Sequence, residues 1–352
     1  MGSTEPSVSV IIPNWNGADH LVDCLDSLKL QCQTDTEVVV VDNASSDNSI
    51  ALLEQGYPWV RLIKLDANHG FSAAVNAGIR ATHAPLIVLL NNDTRAAPDW
   101  LAQLRRGLNK HPKASFAASK MLTFDPPHPI DSAGDHFSLL TGTGFNIGAG
   151  EPADAHTEPA WVFGACAGAA IYRRSLFDDI GLFDEDFFLV FEDVDLDLRA
   201  QVAGHCCLYL PDAVVYHKRG ASTDTADRTV AARAWRNQIW VAGKNLPPLL
   251  LAWWAFVFAW QIIRLISSSV FNKLRARMRP GSGQVNQPPT GTQTAETPGW
   301  RQGMLGGHLL PEFRHALRHL PAKRRAIRPL RRLNSLRLLR IMLKTKRPLE
   351  SS

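Results

Sequence analysis

The chain has 352 residues, 45% hydrophobic and 20% charged, which is enough for one large domain or two ordinary ones and excludes disorder throughout. Its five cysteines (Cys24, Cys32, Cys166, Cys206, Cys207) are an odd number with neither CxxC nor Cys/His metal spacing, so neither a disulfide framework nor a zinc module is indicated and a reducing compartment fits. The formal charge of +5 conceals two bodies: 19 of the 38 basic residues but only three of the 33 acidic ones lie from Arg264 onward, giving −11 before that point and +16 after it.

The first ten residues, MGSTEPSVSV, lack a basic run followed by an apolar one and lack Ser or Thr at position six, so neither a secretory signal nor a myristoyl anchor is expected. From residue 8 to about 110, short β-branched runs alternate with helix-period segments. Val8–Ile12, Glu37–Val41 and Leu86–Leu90 read as strands buried on both faces, and Val60–Leu65, which alternates more, as one nearer an edge. Between them Ala18–Leu30, Asp47–Gln55 and Ser72–Thr82 read as helices. Such a repeat builds a parallel α/β sheet. Residues 111–160, rich in Pro, Gly and His, read as irregular structure with a hairpin. A helix is expected around Phe191–Ala203 and a short strand near Cys206–Leu210.

The loop after each strand carries the chemistry. The four strands run into Pro13-Asn14-Trp15-Asn16-Gly17, Asp42-Asn43-Ala44-Ser45-Ser46-Asp47, Asn68-His69-Gly70-Phe71 and Asn91-Asn92-Asp93-Thr94. In an open parallel sheet the carboxyl ends share one edge, where ligands bind. Each loop alone is also an ordinary turn and cap; four in succession on one edge point to a site. Asp42 and Asn92 suit a base or ribose. A pyrophosphate needs positive charge, and there is neither a GxxxxGK[ST] nor a GxGxxG after a strand, so a divalent cation, Mg²⁺ or Mn²⁺, held by Asp93 is the remaining solution.

A second constellation is Phe187-Phe188-Leu189-Val190-Phe191-Glu192-Asp193-Val194-Asp195-Leu196-Asp197. Carboxylates at a helix start also answer to the helix dipole, but apolar walls beside Asp193 raise a carboxyl's pKa and suit it to general-base work. A third is Tyr209-Leu210-Pro211-Asp212-Ala213-Val214-Val215-Tyr216-His217, ending in a histidine whose meaning depends on its company.

In order, VSVIIPNWNG, VVVVDNASSD, NHGFSAAVNAG, LLNNDT, FFLVFEDVDLDLRAQVAG and YLPDAVVYH resemble the family-2 inverting glycosyltransferases of GT-A fold, especially the bacterial rhamnosyltransferase-like branch, over roughly residues 7–245. The resemblance implies a GT-A-type, mostly parallel α/β sheet flanked by helices. It implies a nucleoside-diphosphate sugar, UDP or dTDP, as donor, with Asp42 at the base and Asn68, Gly70 and Asn76 in the diphosphate loop. Asp93 and His217 would hold the metal, and Glu192-Asp193 would be the catalytic pair with Asp193 as base. Many relatives carry acids where this chain has Asn91-Asn92, so metal binding is expected to lean on the donor's phosphates.

Beyond a catalytic domain of residues 1–245, the chain reads as apolar and basic membrane-associated helices (246–279), a Pro/Gly/Gln/Thr linker (280–299) and a basic amphipathic tail (300–352). Leu249–Ile263 falls short of the ~20 residues of a span, and a crossing would put the basic part outside, so an in-plane or re-entrant helix at the cytoplasmic face of a bacterial inner membrane is expected. Leu330–Leu343 interleaves apolar residues with arginines, as for anionic lipid; no nucleic-acid motif accompanies it. The resemblance implies transfer of a sugar, rhamnose by its branch, and the membrane features suit a cell-envelope glycan or polyprenyl-linked acceptor. The alternatives are a sugar-nucleotide pyrophosphorylase, which wants a Gly-rich basic loop after the first strand, and a non-catalytic membrane-bound nucleotide-sugar sensor.

Overall fold

The computed structural model describes residues 5–32, 34–218, 228–277 and 309–349; the linker read at 280–299 lies outside the described residues. The first half follows the sequence pattern: β1 (Val8–Asn14), α1 (Ala18–Lys29), β2 (Thr36–Asp42), α2 (Ser49–Gly56), β3 (Arg61–Lys64), α3 (Phe71–Ala81) and β4 (Leu86–Leu90). β1 pairs in parallel with β2 and β4, and β2 with β3, so all four carboxyl ends share one edge. β1 is apolar at successive positions because both its faces are covered. Val8, Val10 and Ile12 pack with Leu21, Leu25 and Leu28 of α1, while Ile11 packs with Ala74 and Val75 of α3. β3 closes the sheet on this side, with Arg61 and Lys64 exposed.

The second half corrects the reading of residues 111–160 as irregular. After β5 (Thr94–Ala96) and α4 (Trp100–Lys110) comes β6 (Ala114–Thr123), a ten-residue strand inside the sheet, then β7 (Ile130–Ser132). The expected hairpin is present as β8 (Asp135–Ser138) and β9 (Thr143–Asn146). The alanines of β6 give no local strand signal; its neighbours set its conformation, β11 (Ala169–Arg173) antiparallel on one side and β12 (Cys206–His217) parallel on the other. β11 also pairs with β4, joining the two halves into a sheet of eleven strands among the described residues. Around it lie β10 (Ala160–Val162), α5 (Arg174–Ile180) and α6 (Glu192–Ala203).

β12 runs well past the short strand expected. Its register against β6 shifts between Leu210 and Val214, where Pro211 has no N–H for the ladder. Beyond that bulge it pairs with β5 and sets His217 opposite Thr94, one residue from Asp93.

The C-terminal elements are α7 (Arg228–Asn245), α8 (Pro248–Arg277), α9 (Leu309–Ile327), α10 (Ser335–Met342) and β13 (Lys346–Pro348), which adds antiparallel to β10. Trp240, Leu246, Leu250 and Trp254 share a buried cluster with Phe137, Phe163 and Phe187. Leu338 and Met342 sit in it too, so two residues of the stripe expected on lipid are spent on the protein, while Leu336 and Leu343 stay exposed. Arg332 pins the tail to Asp179 at 2.6 Å. Among the described residues no helix is long and apolar enough to cross a membrane.

Candidate active site

A cleft of about 390 Å³ opens at the shared carboxyl edge, and Pro13, Asn14, Asn68, Gly70, Asn92, Asp93 and His217 all line it. Seven residues singled out from the sequence thus meet in one place. The loops are stitched by amide side chains. Asn92 Nδ2 donates to Asn14 Oδ1 at 2.7 Å, and Asn14 Nδ2 donates to Asp42 Oδ1 at 3.0 Å. Asn43, missed in the sequence although it adjoins Asp42, lines the cleft and donates to Asn68 Oδ1 and the Gly70 carbonyl. Gly70 stands at φ 86°, and a Cβ there would meet the Phe188 carbonyl at 2.5 Å, so only glycine allows this approach.

Two of the expected contact residues are engaged in the scaffold. Asp42 is fully buried and off the cleft wall, its second oxygen accepting from Ser45 N at 2.9 Å; it anchors Asn14 and the following turn. Asn76 faces away. Its amide donates to Phe183 O and Glu185 Oε1 and accepts from Phe183 N, which uses its bonding capacity to fasten α3 to the 183–185 segment.

Asp93 and His217 form the polar centre. His217 Nε2 lies 3.3 Å from Asp93 Oδ1, and His217 Nδ1 lies 2.7 Å from Asp131 Oδ2. Burial pulls the imidazole pKa down, but the Asp131 and Asp93 carboxylates outweigh it and hold it at about 9. Asp93 Oδ1 is buried and accepts no well-aligned hydrogen bond. An orphaned carboxylate oxygen beside an imidazole nitrogen suits a divalent cation, whose adjacent ligands at 2.0–2.1 Å stand roughly 3 Å apart. Asp131, which fixes the ring and leaves Nε2 toward Asp93, was invisible in the sequence; it lies on β7.

Glu192 and Asp193 start α6 behind this wall and do not line the cleft. One short loop connects them to it: Ala167 N donates to Asp193 Oδ2 at 3.4 Å, and Asn91 N donates to the Gly168 carbonyl at 2.9 Å. Asp135, Cys166 and Asp193 bring their side-chain donor atoms within 4.8 Å of one another. Burial and then the Asp193 charge push Asp135 well above the carboxylate range, and burial pushes Cys166 up too. Both shifts favour the protonated form of the groups beside Asp193. Burial raises Asp193 as well, opposed by N–H donors from Val194 and Ala167. Glu192 is raised by burial and by Asp193, and its Oε2 has no hydrogen-bond partner.

The segment entering α6 is strained: Phe188, Val190 and Phe191 have φ of 63°, 62° and 67°. Positive φ costs of order 1–3 kcal/mol per non-glycine residue and persists only when the surroundings enforce it. Here α7 enforces it. Asn237 Nδ2 donates to the carbonyls of Phe187, Leu189 and Val190, and Arg236 donates to those of Asp186 and Phe187. The strain presents Phe188 and Leu189 to the cleft, with the Arg233 guanidinium 4.4 Å over the Phe188 ring.

Residues 9–181 match the model of Glycosyl transferase family 2. An N-acetylglucosaminyl-diphospho-decaprenol L-rhamnosyltransferase of Mycobacterium tuberculosis is 28% identical over 281 residues, 72% of this chain and 88% of that protein. The O-antigen biosynthesis protein RfbC of Myxococcus xanthus is 31% identical over 252 residues, 65% of this chain but 18% of the relative. Among solved structures, a mannosyltransferase of Pyrobaculum calidifontis in complex with GDP-Man and Mn²⁺ matches at TM-score 0.54 and 18% identity, covering 92% of this chain and 86% of that one. GalNAc-T7 with UDP, GalNAc and Mn²⁺ matches at TM-score 0.54 and 16% identity, over 69% and 48%. These two share the fold. Motif order, family match and the gathering of loops at one sheet edge agree: residues 9–181 form a Glycosyl transferase family 2 domain, and the chain is a glycosyltransferase.

Proposed function

We propose that the protein is an inverting, cation-dependent glycosyltransferase that moves a sugar from a UDP- or dTDP-sugar to a cell-envelope glycan or lipid-linked acceptor, with rhamnose the favoured sugar, at the cytoplasmic face of the inner membrane. One observation carries this reading: Asp93 and His217 meet at 3.3 Å in the cleft, and the 166–168 loop ties that wall to Asp193. The mycobacterial relative, by its name, acts on a diphospho-decaprenol acceptor with L-rhamnose, which supports the choice of sugar and acceptor.

In this reading Asp93 and His217 would hold the cation, which when bound would supply positive charge to the donor's diphosphate. Asn14, Asn68 and Asn92 orient the nucleotide. Asp193, whose carboxylate accepts from the N–H groups of Val194 and Ala167, takes the proton from the acceptor hydroxyl while that oxygen attacks the anomeric carbon from the side opposite the diphosphate. One displacement inverts the configuration. Burial favours the neutral form of Glu192, which limits the charge beside the base.

A thermal-shift panel of UDP- and dTDP-sugars with and without Mn²⁺ or Mg²⁺ tests this. The expected result is stabilisation by one nucleotide class that grows with the cation, followed by a product of inverted configuration by NMR. Equal shifts with and without cation, or a retained configuration, would refute it.

A further inference from the structure

The helix α8 has two unlike faces. One is fixed to the protein: Leu250, Trp254 and Phe258 are buried, Trp254 Nε1 donates to Gly142 O at 2.7 Å, and Gln261 Nε2 donates to Thr141 O. The other is bare. Leu249, Trp253, Phe256, Trp260 and Ile263 are 77%, 48%, 64%, 56% and 55% exposed. Their spacing of four, three, four and three places them within about 80° of arc on a 3.6-residue helix. Leu140, 69% exposed, stands between Leu139, which accepts from Trp253 Nε1, and Thr141, so the apolar ridge continues onto the turn of the β8–β9 hairpin.

We infer that this ridge is a membrane-docking face, which lays α8 in the plane of an anionic leaflet with Trp253 and Trp260 at the headgroup boundary. Charge selects lipid over a second copy of the chain. No acidic residue occurs from Leu249 to Arg277, while exposed Arg264 and then Lys273, Arg275 and Arg277 come after the ridge along the same helix. Anionic headgroups complement that helix, whereas two copies meeting on it would oppose like charges. Contiguous exposed aromatic surface of this kind marks an interaction site.

The placement deepens the lipid-linked acceptor proposed above and rests on it. The hairpin that continues the ridge begins at Asp135, whose carboxyl faces Asp193, and its Gly144 abuts Phe191 and Val194. At about 3.4 Å per residue, Leu140 stands within roughly 17 Å of Asp135. A lipid tail held in the bilayer at the ridge leaves its sugar headgroup within reach of the base.

The test uses the full chain and the variant Phe256→Glu/Trp260→Glu/Ile263→Glu, whose altered side chains are all exposed. Wild type is expected to float with phosphatidylcholine vesicles containing phosphatidylglycerol, less so in high salt. The variant is expected to lose about tenfold or more in partitioning, with the same thermal shift from UDP or dTDP plus Mn²⁺. Equal flotation of both proteins, or wild type indifferent to the vesicles, overturns the inference. So does a variant that turns a dimer into a monomer by light scattering with unchanged flotation. A protein that docks but shows no nucleotide response sinks the transferase reading and leaves the docking face standing; the converse result does the opposite.

Discussion

Asp131 Oδ2 lies 2.7 Å from His217 Nδ1, on the side of the ring opposite Asp93. A carboxylate in that position fixes the ring's orientation and raises the basicity of Nε2, the nitrogen turned to the cation site. Replacing Asp131 by Ala is expected to weaken Mn²⁺ binding by about 10- to 100-fold in the presence of donor nucleotide. Mn²⁺ electron paramagnetic resonance titration measures this. Unchanged Mn²⁺ affinity would assign Asp131 to folding alone.

Asn237 holds three carbonyls of a backbone that is otherwise unfavourable. Asn237→Ala is expected to cost about 2–4 kcal/mol, since buried carbonyls lose their donor and the strain loses its restraint. Urea unfolding reads the stability. Because the same segment enters α6, turnover should fall more than the thermal shift given by the donor nucleotide.

Stability should be greatest in mildly acid solution. The folded pKa values of Asp135, Asp193, Asp197 and Glu192 are raised, each first by burial, so the stability they contribute is complete below their ordinary values near 4 and is lost as pH rises through the folded ones. His217, raised to about 9, has the same sign, its contribution present below about 6.5 and lost as pH rises through 9. Asp35 is held down, at about 2, by Arg105 and Ser7, and its contribution is lost as pH falls below about 4 toward that value. Without cation, the melting temperature should therefore fall steadily from pH 5 to pH 9, and Asp135→Asn should flatten the slope. A rise over that interval would contradict the upward shift of these buried carboxyls.

The parallel half of the fold was legible because β1, β2 and β4 advertise themselves by apolar, β-branched runs, β3 by alternation, and each loop by turn residues, all local signals. β6 was not, since Ala114, Ala117 and Ala118 become strand only through pairing with β11 and β12. Asp93 and His217 could be singled out by type and position, but their supporting residues could not. Asp131 and Asp135 acquire meaning from a β7–β8 path that returns to the sheet edge, and Asn237 from a helix about fifty residues beyond the carbonyls it holds. Asn76 and Asp42 show the reverse case: polar residues in a site-forming segment whose side chains also fasten it.

The most direct measurement compares Asp193→Asn with His217→Ala, each assayed for cation-dependent donor binding by calorimetry and for sugar transfer. Asp193→Asn should bind donor as wild type does and transfer nothing, while His217→Ala should lose the cation-dependent part of binding. Asp193→Asn losing donor affinity and transfer in equal measure would contradict a base standing behind the cation wall.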